Sequence, residues 1–283
     1  MKKTSTLLFS SVPLLLALGI QVAALFYLLL IAAIFLFIVA PLTTGVQYEY
    51  SVLEDFMQNV DFMQIFYVTF AISCITTFGI WYVKRCNGNL LPNIKKDFHP
   101  LEFVGILFLI PGTQFMSSVV TGMINVVFPK WIEQYQELME TAGIADDITL
   151  GMIIYTVILA PIGEELIFRG VTLQVAKRAF PFWIANIIQA FFFGVFHQNM
   201  VQGCYTFILG LFLGYICEKG GSIYHVILFH FLFNVWGVLG SEWLLVENEM
   251  LQASIILIGT VAGILLGLFF FNKGSNKKTS VAQ

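Results

Sequence analysis

The chain has 283 residues, of which 58% are hydrophobic and only 11% are charged. Soluble globular domains carry about 25% charged residues, so this composition excludes an ordinary soluble enzyme and is typical of a polytopic membrane protein. The formal net charge of -3 and the lack of a basic block argue against a nucleic-acid partner.

Eight apolar segments predict membrane-spanning helices, because a spanning helix needs about 20 mostly apolar residues. The first segment is longer than the hydrophobic region of a signal peptide and is therefore predicted to be retained as a span. The fold class is predicted to be all-α, a polytopic membrane helix bundle, and the polar residues 272–283 are predicted to be disordered. In chain order the segments are roughly 7–40, 61–83, 100–128, 149–170, 182–200, 203–218, 221–240 and 251–271. The helix of the fourth segment is predicted to continue past the membrane to about Arg178.

Basic residues mark alternate connections between these segments, and the other loops are acidic. Cytoplasmic loops are the ones enriched in Lys and Arg. Eight crossings with both termini in the cytoplasm therefore satisfy every loop, and we expect a multi-pass protein of a bacterial plasma membrane. The basic residues are Lys2 and Lys3 before the first segment, Lys84, Arg85, Lys95 and Lys96 after the second, Lys177 and Arg178 after the fourth, Lys219 after the sixth, and Lys273, Lys277 and Lys278 after the eighth.

The acidic loop after the third segment contains a helical pattern. Residues 130–145 place apolar side chains at near-helical spacing with acids between them. Two interpretations stay open for this segment, an interfacial helix that lies on the outer membrane surface or a solvated amphipathic loop helix.

Ionisable and amide side chains interrupt the apolar sequence on the fourth, fifth and seventh segments. Such groups are costly in a bilayer and usually belong to an ion path, a binding site or a catalytic centre. Their clustering in one cavity would offset this cost by mutual hydrogen bonding, so we expect function to lie here. The residues are Glu164, Glu165 and Arg169, then His197, then His230 and Asn234, and Phe193 lies four positions before His197.

Helical spacing assigns partners within this set. Glu165 and Arg169 are four residues apart, which predicts an ion pair on one helix face. Adjacent helical residues point about 100° apart, so Glu164 is left free for chemistry. His230 and Asn234 share a face by the same spacing. His225 is predicted to be a partly solvated interfacial histidine without a role in the site.

A glutamate with two histidines supports two schemes of hydrolysis. In one, Glu164, His197 and His230 bind a divalent metal such as zinc, which lowers the pKa of a bound water. In the other, a glutamate paired with a histidine activates water directly, while further donors stabilise the oxyanion. The motif HExxH is absent, which weakens the metal scheme. A secondary transporter is a third interpretation, although no internal repeat supports it.

The motifs Glu-Glu-x-x-x-Arg, Phe-x-x-x-His and His-x-x-x-Asn, in this order on successive helices, resemble those of the CPBP family. This family comprises CAAX prenyl endopeptidases and bacteriocin-processing or bacteriocin-immunity proteins, also called the Abi family of intramembrane metalloproteases. The resemblance covers roughly residues 150–237. It divides the chain into an N-terminal transmembrane region (1–148), a CPBP-like catalytic core (149–240), and a last transmembrane helix with a polar tail (241–283).

The resemblance implies an intramembrane endopeptidase that cleaves a membrane-associated or lipid-modified peptide. Glu164 and His197 would activate the water, and His230 and Asn234 would support the oxyanion. Glu165, Arg169 and Phe193 would have supporting roles. The alternative is a non-catalytic bacteriocin-immunity or membrane partner protein on the same scaffold.

The predicted segments place Glu164 and His197 at different depths in the membrane. The fourth and fifth segments meet at a cytoplasmic turn, and His197 lies about 20 Å of helix rise beyond that turn. Glu164 lies much nearer to it. Contact between the two residues is therefore predicted to require a tilted helix, or a fifth segment that begins outside the membrane.

Overall fold

The computed structural model describes residues 3–34, 37–38, 62–91, 98–141, 148–239 and 247–281. Helices are the only regular secondary structure in these ranges, which confirms the predicted all-α class. The helices are α1 (Lys3–Ile34), α2 (Phe62–Arg85), α3 (Pro100–Val127), α4 (Pro129–Thr141), α5 (Leu150–Ala176), α6 (Phe182–Phe196), α7 (Met200–Gly220), α8 (Ile223–Leu239) and α9 (Glu249–Val281).

Six of the described helices are long and apolar enough to cross a membrane, namely α1, α2, α3, α5, α7 and α9. The apolar helices α6 and α8 are shorter, with 15 and 17 residues. At 1.5 Å per residue they span about 22 to 26 Å, less than the roughly 30 Å of a hydrocarbon core. The protein is therefore a multi-pass helical membrane protein. The end of the predicted first segment and the acidic loop after it fall mostly outside the described residues.

Helix α5 is continuous but changes its hydrogen-bond register twice. Its α-helical middle, Ala160–Glu165, lies between two π-helical turns, Tyr155–Leu159 and Leu166–Thr172. A π-helical turn inserts an extra residue into the helix and rotates the side chains that follow it, and such turns often lie at a functional site. Glu164 and Glu165 of the sequence motif lie between the two π-helical turns.

The observed helix ends remove the predicted mismatch in depth. Helix α5 continues past the predicted segment 149–170 to Ala176, close to the predicted helix end near Arg178, whereas α6 ends at Phe196 instead of near residue 200. The last turn of α5 stays helical because Leu173 and Ala176 are buried against Ala185 of α6. About 18 Å of helix rise now separates Glu164 from the end of α5, and about 22 Å separates His197 from the start of α6. Both residues therefore reach similar depths without a tilted or extended helix.

A glycine face joins α3 to α9, which share the largest helix–helix contact in the described parts of the chain. Gly259, Gly263 and Gly267 lie four residues apart on α9 and therefore on one face. A Cβ atom built on Gly263 would lie 2.7 Å from the Cα of Gly112 in α3. Small residues allow membrane helices to approach at backbone distance, where van der Waals packing holds them together.

We expect Gly263→Ala to destabilise the protein by about 1–3 kcal/mol, because overpacking forces the two backbones apart. Gly122→Ala on α3 is the matched control, since a Cβ atom there meets no atom within 4 Å. The midpoint of unfolding in detergent micelles measures both effects. Equal midpoints for the two variants would contradict the close packing of α3 on α9.

The C-terminal residues are helical up to Val281, so the predicted disorder of 272–283 is wrong over most of that range. The hydroxyl of Tyr215 donates to Oδ1 of Asn272 over 2.6 Å. The hydroxyl of Ser275 donates to the carbonyl of Lys219 over 2.5 Å. These bonds extend the packing of α9 on α7 beyond its apolar part.

Candidate functional site

A cavity of about 810 Å³ lies within the helix bundle. All four residues predicted to be catalytic line it, namely Glu164, His197, His230 and Asn234. They come from α5, from the end of α6 and from α8. The structure therefore brings together side chains that are up to 70 positions apart in the sequence.

His230 lies between the two adjacent glutamates. Its Nδ1 is 2.7 Å from Oε1 of Glu165, and its Nε2 is 3.7 Å from Oε2 of Glu164. A carboxylate accepts hydrogen bonds, so Nδ1–H of His230 donates to Glu165. The side chain of Glu164 is 15% exposed, whereas that of Glu165 is fully buried. Glu164 therefore faces the cavity, and Glu165 supports His230 from behind.

The second glutamate belongs to a buried ion pair. Nη1 of Arg169 is 2.9 Å from Oε1 of Glu165, as the four-residue spacing predicts, and both side chains are fully buried. The guanidinium lies 4.4 Å from the ring centre of Phe193 on α6. Its Nη2 donates to the carbonyl of Gly210 on α7 over 3.4 Å. Arg169 thus connects the carboxylate that holds His230 to two neighbouring helices.

Phe193 positions His197 in two ways. Nδ1 of His197 is 2.8 Å from the carbonyl oxygen of Phe193, which only accepts hydrogen bonds. The neutral ring therefore carries its proton on Nδ1 and keeps Nε2 as an acceptor. The ring of Phe193 also packs edge-on against the rings of His197 and His230, at centroid distances of 4.9 and 5.9 Å.

Pro161 leaves the backbone carbonyl of Thr156 free to bind Asn234. In the first π-helical turn of α5, the N–H of Ala160 donates to the carbonyl of Tyr155. The next donor in that register would be Pro161, which has no N–H, so the carbonyl of Thr156 loses its helical partner. The side-chain amide of Asn234 donates to this carbonyl over 2.8 Å. One N–H of Asn234 is thereby used, and the second can bind a substrate.

The remaining cavity wall contains neutral polar side chains that the sequence reasoning missed. These residues interrupt apolar helices singly or in adjacent pairs, or lie in a turn, which is too weak a signal to recognise without the fold. The amides and hydroxyls of this wall are Gln21 from α1, Gln114, Ser117, Ser118 and Thr121 from α3, Tyr155 and Thr156 from α5, Gln198 from the turn after α6, and Gln202, Tyr205 and Thr206 from α7.

Helix α4 covers one end of the cavity. Tyr135, Leu138 and Met139 line the cavity, and α4 also packs on α7. Burial raises the pKa of Tyr135, although a hydrogen bond with Tyr205 acts in the opposite direction. The amphipathic pattern of 130–145 therefore corresponds to a helix that partly faces the cavity, with 142–147 outside the described residues.

The prediction for His225 is partly wrong. His225 does not line the cavity, but it is fully buried instead of partly solvated. Its Nε2 is 3.1 Å from Oε2 of the buried Glu102, and its ring stacks on Phe98 at 4.2 Å. Glu102 lies in the first turn of α3, where it also accepts the N–H of His99 in a capping box. This acceptor, 123 positions away, allows the imidazole to be buried.

The predicted metal ligands Glu164, His197 and His230 stay a prediction. Within the described ranges, no group of three His, Cys, Asp or Glu side chains is placed to hold a metal ion. His230 directs one ring nitrogen to Glu165, and His197 directs one to the Phe193 carbonyl. Glu164, His197 and His230 all line one cavity.

Residues 146–236 match the family described as type II CAAX prenyl endopeptidase Rce1-like. The matched segment, about a third of the chain, contains α5, α6, α7 and most of α8. It therefore includes the whole polar cluster described above. The chain has no significant match among curated proteins or solved structures.

Proposed function

Because the chain belongs to the CPBP family of CAAX proteases, which are membrane-embedded hydrolases, we propose that Glu164 and His197 activate the water that cleaves a peptide bond in its cavity. The observation that carries the proposal is that Glu164, His197, His230 and Asn234 all line one cavity. The substrate is a membrane-associated or lipid-modified peptide, and the protein acts in the plasma membrane.

Glu164 is the general base. Its carboxylate faces the cavity and takes a proton from the water. Nε2 of His197 accepts the second hydrogen of that water and so orients the oxygen, since its Nδ1–H is held by the Phe193 carbonyl. General-base catalysis of this kind contributes about 10²–10⁴-fold to the rate.

His230 and Asn234 stabilise the oxyanion of the tetrahedral intermediate. Glu165 holds Nδ1 of His230, which directs Nε2 towards the cavity, and the imidazolium form donates from Nε2. Asn234 donates its second N–H while the first is held by Thr156. Donors that are fixed before the reaction stabilise developing charge without reorganisation.

The reaction needs no nucleophilic serine or cysteine. The water oxygen bonds to the carbonyl carbon as its proton moves to Glu164. The carbon–nitrogen bond then breaks as Glu164 returns that proton to the departing nitrogen. The products are a new carboxyl terminus and a new amino terminus, and Glu164 is again a carboxylate.

We expect the purified protein in liposomes to cleave a membrane-anchored reporter peptide at the same rate with and without a metal chelator. The reason is that no step of the proposed scheme uses a metal, and that among the described residues no three His, Cys, Asp or Glu side chains are grouped as metal ligands. The rate of product formation is the measurement, with a zinc protease in the same liposomes as the positive control for chelation. Loss of cleavage that added zinc restores would contradict the metal-free scheme. No cleavage under either condition would contradict the proposed function.

A further inference from the structure

The bundle has one strongly basic end. Basic residues lie at the adjoining ends of α2, α5 and α9, among them Arg85, Lys177 and Lys273. Contacts between α2, α5 and α7 show that these three helices end at the same depth in the bundle. Arg178 after α5 donates to the carbonyl of Arg85 over 2.6 Å, and Lys177 pairs with Glu218 of α7 over 2.5 Å. By the preference of basic residues for the cytoplasm, this end is the cytoplasmic one.

The opposite end is acidic on balance. It contains α4, which carries Lys130 together with Glu133, Glu137 and Glu140. The side chain of Gln64 at the start of α2 donates to the hydroxyl of Thr149 before α5, so these two helices begin at the same level. This end therefore lies on the extracytoplasmic side.

The cavity extends from the polar cluster towards this acidic end. Helix α3 lines it with residues from 114 to 121, in its second half, and α7 lines it with residues from 202 to 209, in its first half. Helix α4 lines it from beyond the ends of both. Among the described residues, the lining includes no Lys or Arg. The cavity thus does not reach the basic end.

The short helix α6 explains why there is space at this end. With about 22 Å of rise, α6 ends below the surface of a roughly 30 Å hydrocarbon core when it begins at the cytoplasmic face. The polar turn 197–199 that follows is satisfied within the protein. Nε2 of Gln198 donates to Oε1 of Gln21 over 2.9 Å, and Oδ1 of Asn199 accepts the N–H groups of Val201 and Gln202. The result is a polar depression in the outer leaflet. Its polar groups have hydrogen-bond partners within the protein, which non-helical backbone inside a membrane requires.

We infer that substrate reaches this site from the extracytoplasmic side, and that it is a polypeptide segment exposed at the outer leaflet. This inference rests on the proposed peptidase function and specifies its substrate class. The amides of Gln114 and Gln202 and the hydroxyl of Ser118 lie on the cavity wall. Gln114 donates one N–H to the carbonyl of Phe233, and Ser118 donates to the carbonyl of Gln114. The second N–H of Gln114, its amide oxygen and the hydroxyl oxygen of Ser118 can bond an extended backbone. An unpaired peptide backbone is costly at this depth, so such partners favour a polypeptide. A cytoplasmic C-terminus would have to cross the packed, basic half of the bundle.

The test is the side from which a cavity cysteine reacts with a membrane-impermeant maleimide in intact cells. The background is the full chain with the half-buried Cys86 and Cys204 replaced by serine, while the buried Cys74 and Cys217 remain. Ser118→Cys reports on the cavity wall. Gln136→Cys on α4 and Lys84→Cys at the basic end of α2 are exposed controls for the two sides.

We expect Ser118→Cys and Gln136→Cys to react in intact cells, and Lys84→Cys to react only after permeabilisation. Reaction of Ser118→Cys only after permeabilisation would overturn the inference. Thr121→Cys, also on the cavity wall, replaces Ser118→Cys if that variant does not fold or does not react under either condition. Labelling requires no catalysis and therefore decides sidedness even for an inactive protein.

Cleavage of an impermeant peptide added to the same cells separates the two proposals. Cleavage in intact cells that Glu164→Gln abolishes would support both. Cleavage only after permeabilisation would overturn the sidedness and leave the peptidase function standing. No cleavage under either condition, with Ser118→Cys labelled from outside, would overturn the peptidase function alone.

Discussion

We expect Glu164→Gln to lower kcat for peptide-bond hydrolysis by about 10²–10⁴-fold, the contribution of a general base. The amide has the same shape as the carboxylate but cannot take a proton from water. The close contact of His230 is with Glu165, so the buried neighbours of Glu164 keep their partners in this variant. Initial rates on a membrane-anchored reporter peptide in liposomes measure the effect.

The matched control is Glu218→Gln, because Glu218 is partly exposed and pairs with Lys177 far from the cavity. It should cleave at the wild-type rate. Both variants should unfold at the wild-type midpoint in detergent, which separates a chemical effect from misfolding. Wild-type turnover by a folded Glu164→Gln variant would show that another group is the base.

Helix geometry explains which parts of the site follow from the sequence. The pairs Glu165–Arg169 and His230–Asn234 each lie four residues apart, and that spacing places side chains on one face of any α-helix. The apolar segments likewise predict an all-helical bundle from length and composition alone. Statements of this kind depend on one helix at a time, and they require no knowledge of how helices pack.

Contacts between helices are what the sequence could not predict. His230 bonds closely to Glu165 instead of Glu164, which depends on the rotation of α8 against α5. The burial of His225 depends on Glu102, which no local pattern connects to it. The anchor of Asn234 depends on a change of register before Pro161.

The full burial of Arg169 depends on a neighbouring helix in the same way. Arg169 and Gly170 both lie inside α5, in its second π-helical turn, and both are buried. Arginine is tolerated at this position because Glu165 and the ring of Phe193 compensate its charge. The partner on α6 is the information that one sequence lacks.

The buried ion pair supports the second large prediction. We expect Arg169→Met to lower the free energy of unfolding by about 3–5 kcal/mol, because removal of one partner leaves an uncompensated buried charge on Glu165. The same change should reduce cleavage, since Glu165 also orients His230. Equilibrium unfolding in mixed micelles measures the first effect, and peptide cleavage at a temperature where the variant is folded measures the second.

Lys177→Met is the matched control, because it removes the basic partner of a pair whose side chains are 30% and 34% exposed. Exposed ion pairs contribute at most about 1 kcal/mol, so this variant should remain close to wild type. The double variant Glu165→Gln with Arg169→Met should recover part of the lost stability, since replacing both partners removes the uncompensated charge. It should not recover cleavage, because the neutral amide introduced by Glu165→Gln holds His230 less firmly than the native carboxylate does. Equal destabilisation by Arg169→Met and Lys177→Met would show that the buried pair does not organise the site.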